Sequence, residues 1–426
     1  MRAELTTLDL SDTSEAGTQR AAGFLEAVTR AFHEPRPKPE TQRAWLEATR
    51  ADRAVLRAAW LADGPFGADR LPIATYASFD KSLNAGADPV PLRMITDITV
   101  SPAHRRQGWL STMMRADLDD AAERGVPLAA LTVSEATIYG RFGFGAATFR
   151  RRIEVDTSAR FRLREDQDPA QHDDGHIEMV DPAQAWPAIQ ETFADFHAHV
   201  RGSVDRPAFY GPLLRGELDF EFQPGNDRLR GAMHLDASGR PDGHVLFHVE
   251  TDGDSRVVVV DDLVARDPRV HLALWRFLAS IDLTTRVRHR GARVDDPLRW
   301  ALTDAFCYQT TGASEHIWVR VLDVVAALSG RAWGADGAVV LEVTDPLGYA
   351  AGRFAVETAD GAAQVAPTTA PAEVTLTVET LGSLYLGGVG VTTLRDAGRL
   401  AGDDSAIRRL AAMAHLDRAP YSVTSF

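Results

Sequence analysis

The chain has 426 residues, 45% of them hydrophobic, and a formal net charge of −14. That length exceeds one ordinary core, so two to three domains of roughly 100–200 residues are expected. The acidic balance argues against a nucleic-acid partner, which needs a basic face. It favours a cationic small molecule, and with no apolar run of about 18 residues, no membrane span is predicted.

Cys307 is the single cysteine, which excludes an intrachain disulfide and a four-cysteine zinc site and fits a reducing cytoplasm. We read it as a small buried apolar residue. The opening MRAELTTLDLSDTSEAG is polar and acidic, so no signal peptide is expected and the location is read as cytoplasmic. Lys38 and Lys81 are the only lysines, which leaves little room for lysine-based covalent chemistry.

In chain order, AAGFLEAVTRAFHEP has helical spacing and stops at Pro35. ETQRAWLEATRADRAVLRAAWLADG (residues 40–64) reads as mostly helical. LPIATYASFD and PLRMITDITV read as strands, with NAGADPVP as the turn between them. HRRQGWL (104–110) forms a corner. A helix follows, with Leu110, Met113, Met114, Leu118, Ala121 and Ala122 on one face and Gly125 as its C-terminal cap. VPLAALTVS is then a buried strand, and strand, helix, strand implies a right-handed crossover with parallel pairing.

An acidic loop, Asp166 to Gly175, marks a junction. Beyond it the pattern repeats: helix AWPAIQETFADFHAHVRG, strands GHVLFHVE and RVVVVDDLVA, helix DPRVHLALWRFLASID. DITVSPAHRRQGWLSTMMRADL and DDLVARDPRVHLALWRFLASID share strand, proline, basic residue and amphipathic helix, but the second has no glycine in its corner. From about residue 300, HIWVRVLDVVAALSG, AVVLEVTD, GRFAVETADG and AEVTLTVETLGSLYLGG suggest strands and helices of a third unit, ending on APYSVTSF.

The corner holds the chemistry. A strand that ends at the start of a helix leaves backbone N–H groups unpaired, and these combine with the helix dipole into an anion site. Gly108 permits close backbone approach, and Arg105 and Arg106 supply charge suited to phosphate oxygens. Spacing alone leaves two readings open, a diphosphate cradle and a solvated basic turn.

DITVSPAHRRQGWLSTMM resembles the acyl-coenzyme A pyrophosphate loop of the GCN5-related N-acetyltransferase (GNAT) superfamily, Arg/Gln-x-x-Gly-x-Gly/Ala. Arg105, Gly108 and Leu110 stand at the patterned positions, with Leu110 where a small residue is usual. SEATIYGRFGFG, FADFHAHVRGSVDRPAFY, IWVRVLDVVAALSGR and VETLGSLYLGG extend the resemblance over essentially the whole chain, to the Eis (enhanced intracellular survival) acetyltransferases. The fold this implies is mixed α/β: tandem GNAT domains, 1–158 and a degenerate 159–299, then a sterol-carrier-protein-like domain, 300–426. It also implies acetyl-CoA as cosubstrate and assembly as a homohexamer.

The resemblance assigns roles to particular residues. The carboxylate of Phe426 is the general base and Tyr139 the general acid that protonates the leaving thiolate. A terminal carboxylate ordinarily titrates at about 3.3–3.7, so as a base it needs help from its surroundings or from a water. Arg105, Arg106, Gly108, Trp109 and Leu110 bind the coenzyme, and the backbones of Ile98 and Val100 pair with its pantetheine arm. Ser134 is placed near that arm and is equally readable as a helix N-cap. Glu34, Trp45 and Asp97 are candidates for the amine pocket, two carboxylates and an aromatic face for an ammonium. Polycationic amines are the expected substrates, either aminoglycosides, at several positions, or lysine side chains. Ser425 stands where an acidic residue precedes the terminus in the best-known relative.

No HExxH, CxxC or GxSxG motif occurs, and His244 with His248 on one strand face lack a third ligand, so no metal is expected. The alternatives are a lipid-binding protein or an acetyl-CoA sensor on an inactive acetyltransferase scaffold.

Overall fold

The computed structural model describes residues 3–133, 136–169, 174–219, 225–253 and 255–426. The first sheet begins with β1 (Ala3–Thr7), β2 (Val55–Leu61), β3 (Ala74–Asn84), β4 (Pro89–Val100) and β5 (Leu128–Thr132). Helices α1 (Glu15–Ala31) and α2 (Pro39–Ala51) precede β2, and α3 (Trp109–Glu123) crosses over between β4 and β5, which pair in parallel as expected. The helix expected over 40–64 is two elements. Its first part is α2; Arg53 then turns the chain at a φ of 51°, and Val55–Leu61 is β2. Most of VLRAAWL is buried on both faces of the sheet, and a short run that is apolar on both sides cannot be told from a helix by spacing.

After β6 (Gly145–Ala146) the chain builds a second sheet from β7 (Phe149–Asp156), β8 (His176–Val180), β9 (Arg230–Leu235), β10 (Pro241–Asp252), β11 (Ser255–Ala265), β12 (Arg286–Ala292) and β13 (Tyr308–Glu315). The repeat seen in the sequence is structural. β11, the helix Pro268–Ala279 and parallel β12 reproduce β4, α3 and β5.

Sheet membership does not follow chain position. β7, from the first 158 residues, lies in the second sheet. β14 (Ile317–Val321) returns to the first sheet and fits between β5 and β6, with Ile317 opposite Thr132 and Val319 opposite Gly145. The third sheet has order β17-β16-β15-β18-β19, from β15 (Gly337–Thr344), β16 (Gly352–Ala359), β17 (Ala362–Pro367), β18 (Val374–Thr377) and β19 (Leu400–Gly402). It is tied to β14 by the buried ion pair of Arg320 with Asp345, 2.6 Å. The helix Val378–Tyr385 packs on β14 so closely that a Cβ on Gly382 would collide with the Val319 carbonyl. Among the described residues no helix is long and apolar enough to cross a membrane.

Candidate active site

The site begins with one extra residue. β3 and β4 pair Ala74 with Val100 and Thr75 with Thr99, but Ala77 with Thr96. The surplus is a bulge on β4 at Asp97 and Ile98. Asp97 takes a φ of 51°, and the Thr75 hydroxyl donates to its carbonyl at 2.8 Å. Pairing with β5 runs only from Leu92–Leu128 to Ile95–Leu131. Beyond that point the two parallel strands part, and among the described residues the edge of Thr96–Val100 that faces β5 has no strand partner. Ile98 and Val100 turn their side chains to the core around Met113 and Met114, so what they present to the slot is backbone.

The slot leads to the arginine corner. After the turn Pro102–His104, Arg105 and Arg106 are exposed, and among the described residues neither makes an ion pair. Arg106 has a φ of 63°. Gly108 caps α3 at a φ of 86° with no side-chain hydrogen bond to the helix, leaving the first-turn N–H groups open to an anion. Trp109 and Leu110, the first residues of α3, are half-buried. The second copy differs in kind: Asp267 caps its helix, accepting from the Arg269 N–H, and Pro268 removes a donor. Its anion position is filled by the chain's own carboxylate.

Asp117 fixes α3 to the sheet. It is fully buried and accepts from Arg93 Nη1 at 2.9 Å, Tyr76 Oη at 3.0 Å and Ser78 Oγ at 2.6 Å, with Arg57 as a further partner. Burial and the neighbouring carboxylate push the Tyr76 hydroxyl well above its ordinary value.

Where β4 and β5 part, a cavity of about 550 Å³ opens. Glu34, Trp45, Asp97, Ile98, Tyr139 and Phe426 all line it, so residues from both ends of the chain meet there. Tyr139 is 8% exposed and sits edge-on to Phe144. Trp45 gives one face to Phe24, stacked at 5.9 Å. Desolvation pushes the Asp97 carboxyl up to about 6. Val100, Arg105, Arg106, Gly108, Trp109 and Leu110 lie outside the cavity lining, along the slot and at its corner. Ser134 lies outside the described residues.

The C-terminal segment is irregular but held throughout. The Tyr421 hydroxyl donates to the Gly291 carbonyl at 2.6 Å, past the last β11–β12 pair, Val260–His289. The tail therefore enters the parted strands of the second copy. Thr424 Oγ1 donates to the Val204 carbonyl at 2.8 Å, and Tyr210 Oη accepts from the Ser425 N–H at 2.7 Å. His316 Nε2 lies 2.9 Å from Ser425 Oγ; burial and the Arg150 charge push this imidazole down to about 3, leaving it neutral. The Thr132 hydroxyl, at the end of β5, donates to the Phe426 oxygen. Phe426, the last residue, thus meets Tyr139 in one cavity beside a slot that suits an extended ligand.

Sequence reading missed Thr132, Arg150, Tyr210 and His316. Each acts through residues far along the chain, and none carries a local motif; Arg150 is the second residue of FRRRIEVD, which reads as a solvated strand.

Acetyltransferase (GNAT) domain families match residues 13–147 and 202–321, and a sterol carrier protein domain family matches 324–423. An uncharacterized N-acetyltransferase of Streptomyces griseus is 36% identical over 343 residues, 79% of this chain and 82% of that one. The N-acetyltransferase Eis of Mycobacterium tuberculosis is 33% identical over 376 residues, 87% of this chain and 88% of that one. The crystal structure of Eis1 from Mycobacterium abscessus superposes with a TM-score of 0.81 at 27% identity, each chain covered completely. GNAT domains use acetyl-CoA, and the parted strands and open helix start of the first copy fit that molecule. The chain belongs to the Eis-type N-acetyltransferases of the GNAT superfamily, with two GNAT domains followed by a sterol-carrier-protein domain.

Proposed function

We propose that the first GNAT copy transfers acetyl from acetyl-CoA directly to a primary amine, with Phe426 as base and Tyr139 as acid. The observation that carries this reading is the Phe426 terminus, 8% exposed and bonded to Thr132 in the cavity that Tyr139 also lines. Arg105, Arg106 and the N–H groups after Gly108 hold the diphosphate, and the free backbone edge of Ile98 to Val100 holds the pantetheine arm. The Phe426 carboxylate takes a proton from the ammonium, directly or through water. The freed nitrogen attacks the thioester carbonyl, the new N–C bond forms and the C–S bond breaks. Tyr139 gives its proton to the sulfur and recovers one from the nitrogen. The second copy, with Asp267 over its helix start, binds no coenzyme.

Aminoglycosides, polyamines and lysine peptides form the acceptor panel, assayed by release of free coenzyme A. Removing Phe426 should lower kcat about 10²–10⁴-fold while acetyl-CoA binding by calorimetry stays within about twofold. Full turnover by the shortened chain would refute the base assignment. A homohexamer in the cytoplasm belongs to the same proposal and is read by light scattering and cell fractionation.

A further inference from the structure

A second cavity, of about 390 Å³, lies in the second GNAT copy, at the place the acceptor cavity takes in the first. β11 carries one extra residue, Asp261, because Leu246 pairs with Asp262 and Phe247 with Val260. Aligning DDLVARDPRV with DITVSPAHRR puts Asp261 on Asp97, in the bulge of β4. Pairing of β11 with β12 ends at Val260–His289, and the cavity opens there, lined also by the short helix Tyr210–Leu214. Asp267 takes the coenzyme's place at the helix start and the tail fills the parted strands, so this cavity has no room for a thioester beside it.

The two cavities differ in charge. Glu34, Asp97 and the Phe426 terminus suit the first to cations. In the second, every carboxylate of the lining is engaged. Asp261 and Glu250 flank His248 at 2.7 and 3.2 Å, and Arg288 also reaches Glu250. Asp262 is held by Arg206 at 2.6 Å and by His244 at 2.9 Å, and Asp219 has a partner too. Burial pushes His289 down to about 4 and, with the Arg150 charge, His316 down to about 3, so both are neutral. Two guanidiniums remain. Arg150 and Arg290 line the cavity and make no ion pair among the described residues. Two like charges beside apolar walls, here Leu213, Leu214, Leu218 and Leu229, favour an anion between them, and a guanidinium fork matches a carboxylate.

The tail is the wall between the cavities. Tyr421, Ser422, Val423 and Ser425 line the second, and Ser425 and Phe426 line the first. Arg150 lines both and bonds Ser425 Oγ at 3.3 Å. We infer that the second cavity is a regulatory site for a small monocarboxylic acid with an apolar body, its carboxylate between Arg150 and Arg290 and its chain against the leucines. The bound acid draws Arg150 from Ser425, loosens the terminus and lowers turnover. That effect rests on the acetyltransfer reading; the binding does not.

Hexanoate is the probe, with hexan-1-ol for the chain alone and inorganic phosphate for the anion alone. Calorimetry on the full chain should show hexanoate binding at least tenfold tighter than either, since charge-assisted bonds are worth roughly tenfold to hundredfold in affinity. Arg290→Gln, and Leu213→Trp, which fills the cavity, should each weaken hexanoate at least tenfold and leave acetyl-CoA binding and uninhibited coenzyme A release unchanged. Equal binding of hexanol or phosphate, or unchanged hexanoate binding in either variant, would overturn the site. Saturating hexanoate should lower kcat at least twofold in the unaltered protein and not in Arg290→Gln. Binding without any effect on turnover would overturn the regulation. Inhibition that competes with the amine and persists in Arg290→Gln would put hexanoate in the acceptor cavity and overturn the inference. No coenzyme A release with any amine would count against acetyl transfer, and the calorimetry would still decide the site.

Discussion

Gly108 and Asp97 show how much a single backbone angle can do in this site. A Cβ at Gly108 would meet nothing within 4 Å, yet φ is 86°, so Gly108→Ala adds backbone strain and no clash. That strain is about 1–2 kcal/mol, and the variant should raise the KM for acetyl-CoA roughly tenfold with kcat little changed, as steady-state kinetics would show. Asp97 titrates at about 6 folded against 3.8 for the free residue. Below the unfolded value both states are protonated and its contribution to stability is intact; as pH rises through about 6 the folded state must ionise a desolvated acid and stability is lost. Asp97→Asn should therefore gain on the parent between pH 4 and pH 8, by on the order of 1–2 kcal/mol after solvent screening, in paired urea denaturations. Arg105, Gly108, Tyr139 and Phe426 are the residues that motif and resemblance name. Neither names Arg150 or His316, because an arginine in a strand and a histidine before one acquire meaning only from the tail packed against them.

At the level of elements, the slot is made by a bulge on β4, and its mouth by a helix start held in place from below. Asp117 carries that load, with two arginines, a tyrosine and a serine on one carboxylate. Asp117→Ala leaves Arg57 buried without its carboxylate, while Arg93 keeps Asp80 and Asp120, so it should cost about 3–5 kcal/mol in denaturant unfolding. The helix α3, strands β3 to β5 and the repeat were readable because their apolar spacing is long and regular. β2 was taken for helix because both of its faces are covered, and β1 went unread because five residues on a sheet edge, none of them buried, carry little pattern.

Across the whole molecule the three domains share parts. β14 completes the first sheet from beyond the second, and the tail crosses the second copy to reach the first. A chain ending at residue 158 should thus fail to melt cooperatively by circular dichroism, because β5 and β6 lose the strand between them. A sharp transition in that fragment would show that the first sheet closes without β14. The expected domain order was readable from the sequence, but exchange of strands across domain limits was not, since a strand's sequence states its burial and not its neighbour.

The position of β14 also sets a schedule for synthesis. β5 ends at Thr132, but its neighbour ends at Val321. At roughly 5–20 residues per second, a ribosome takes on the order of 10–40 s to supply it. Throughout that interval a nascent chain carries an apolar strand, Leu128–Thr132, with one edge unpaired, a template for pairing with other chains. Variants that slow translation between these two strands would lower the yield of folded protein without changing a single residue of it.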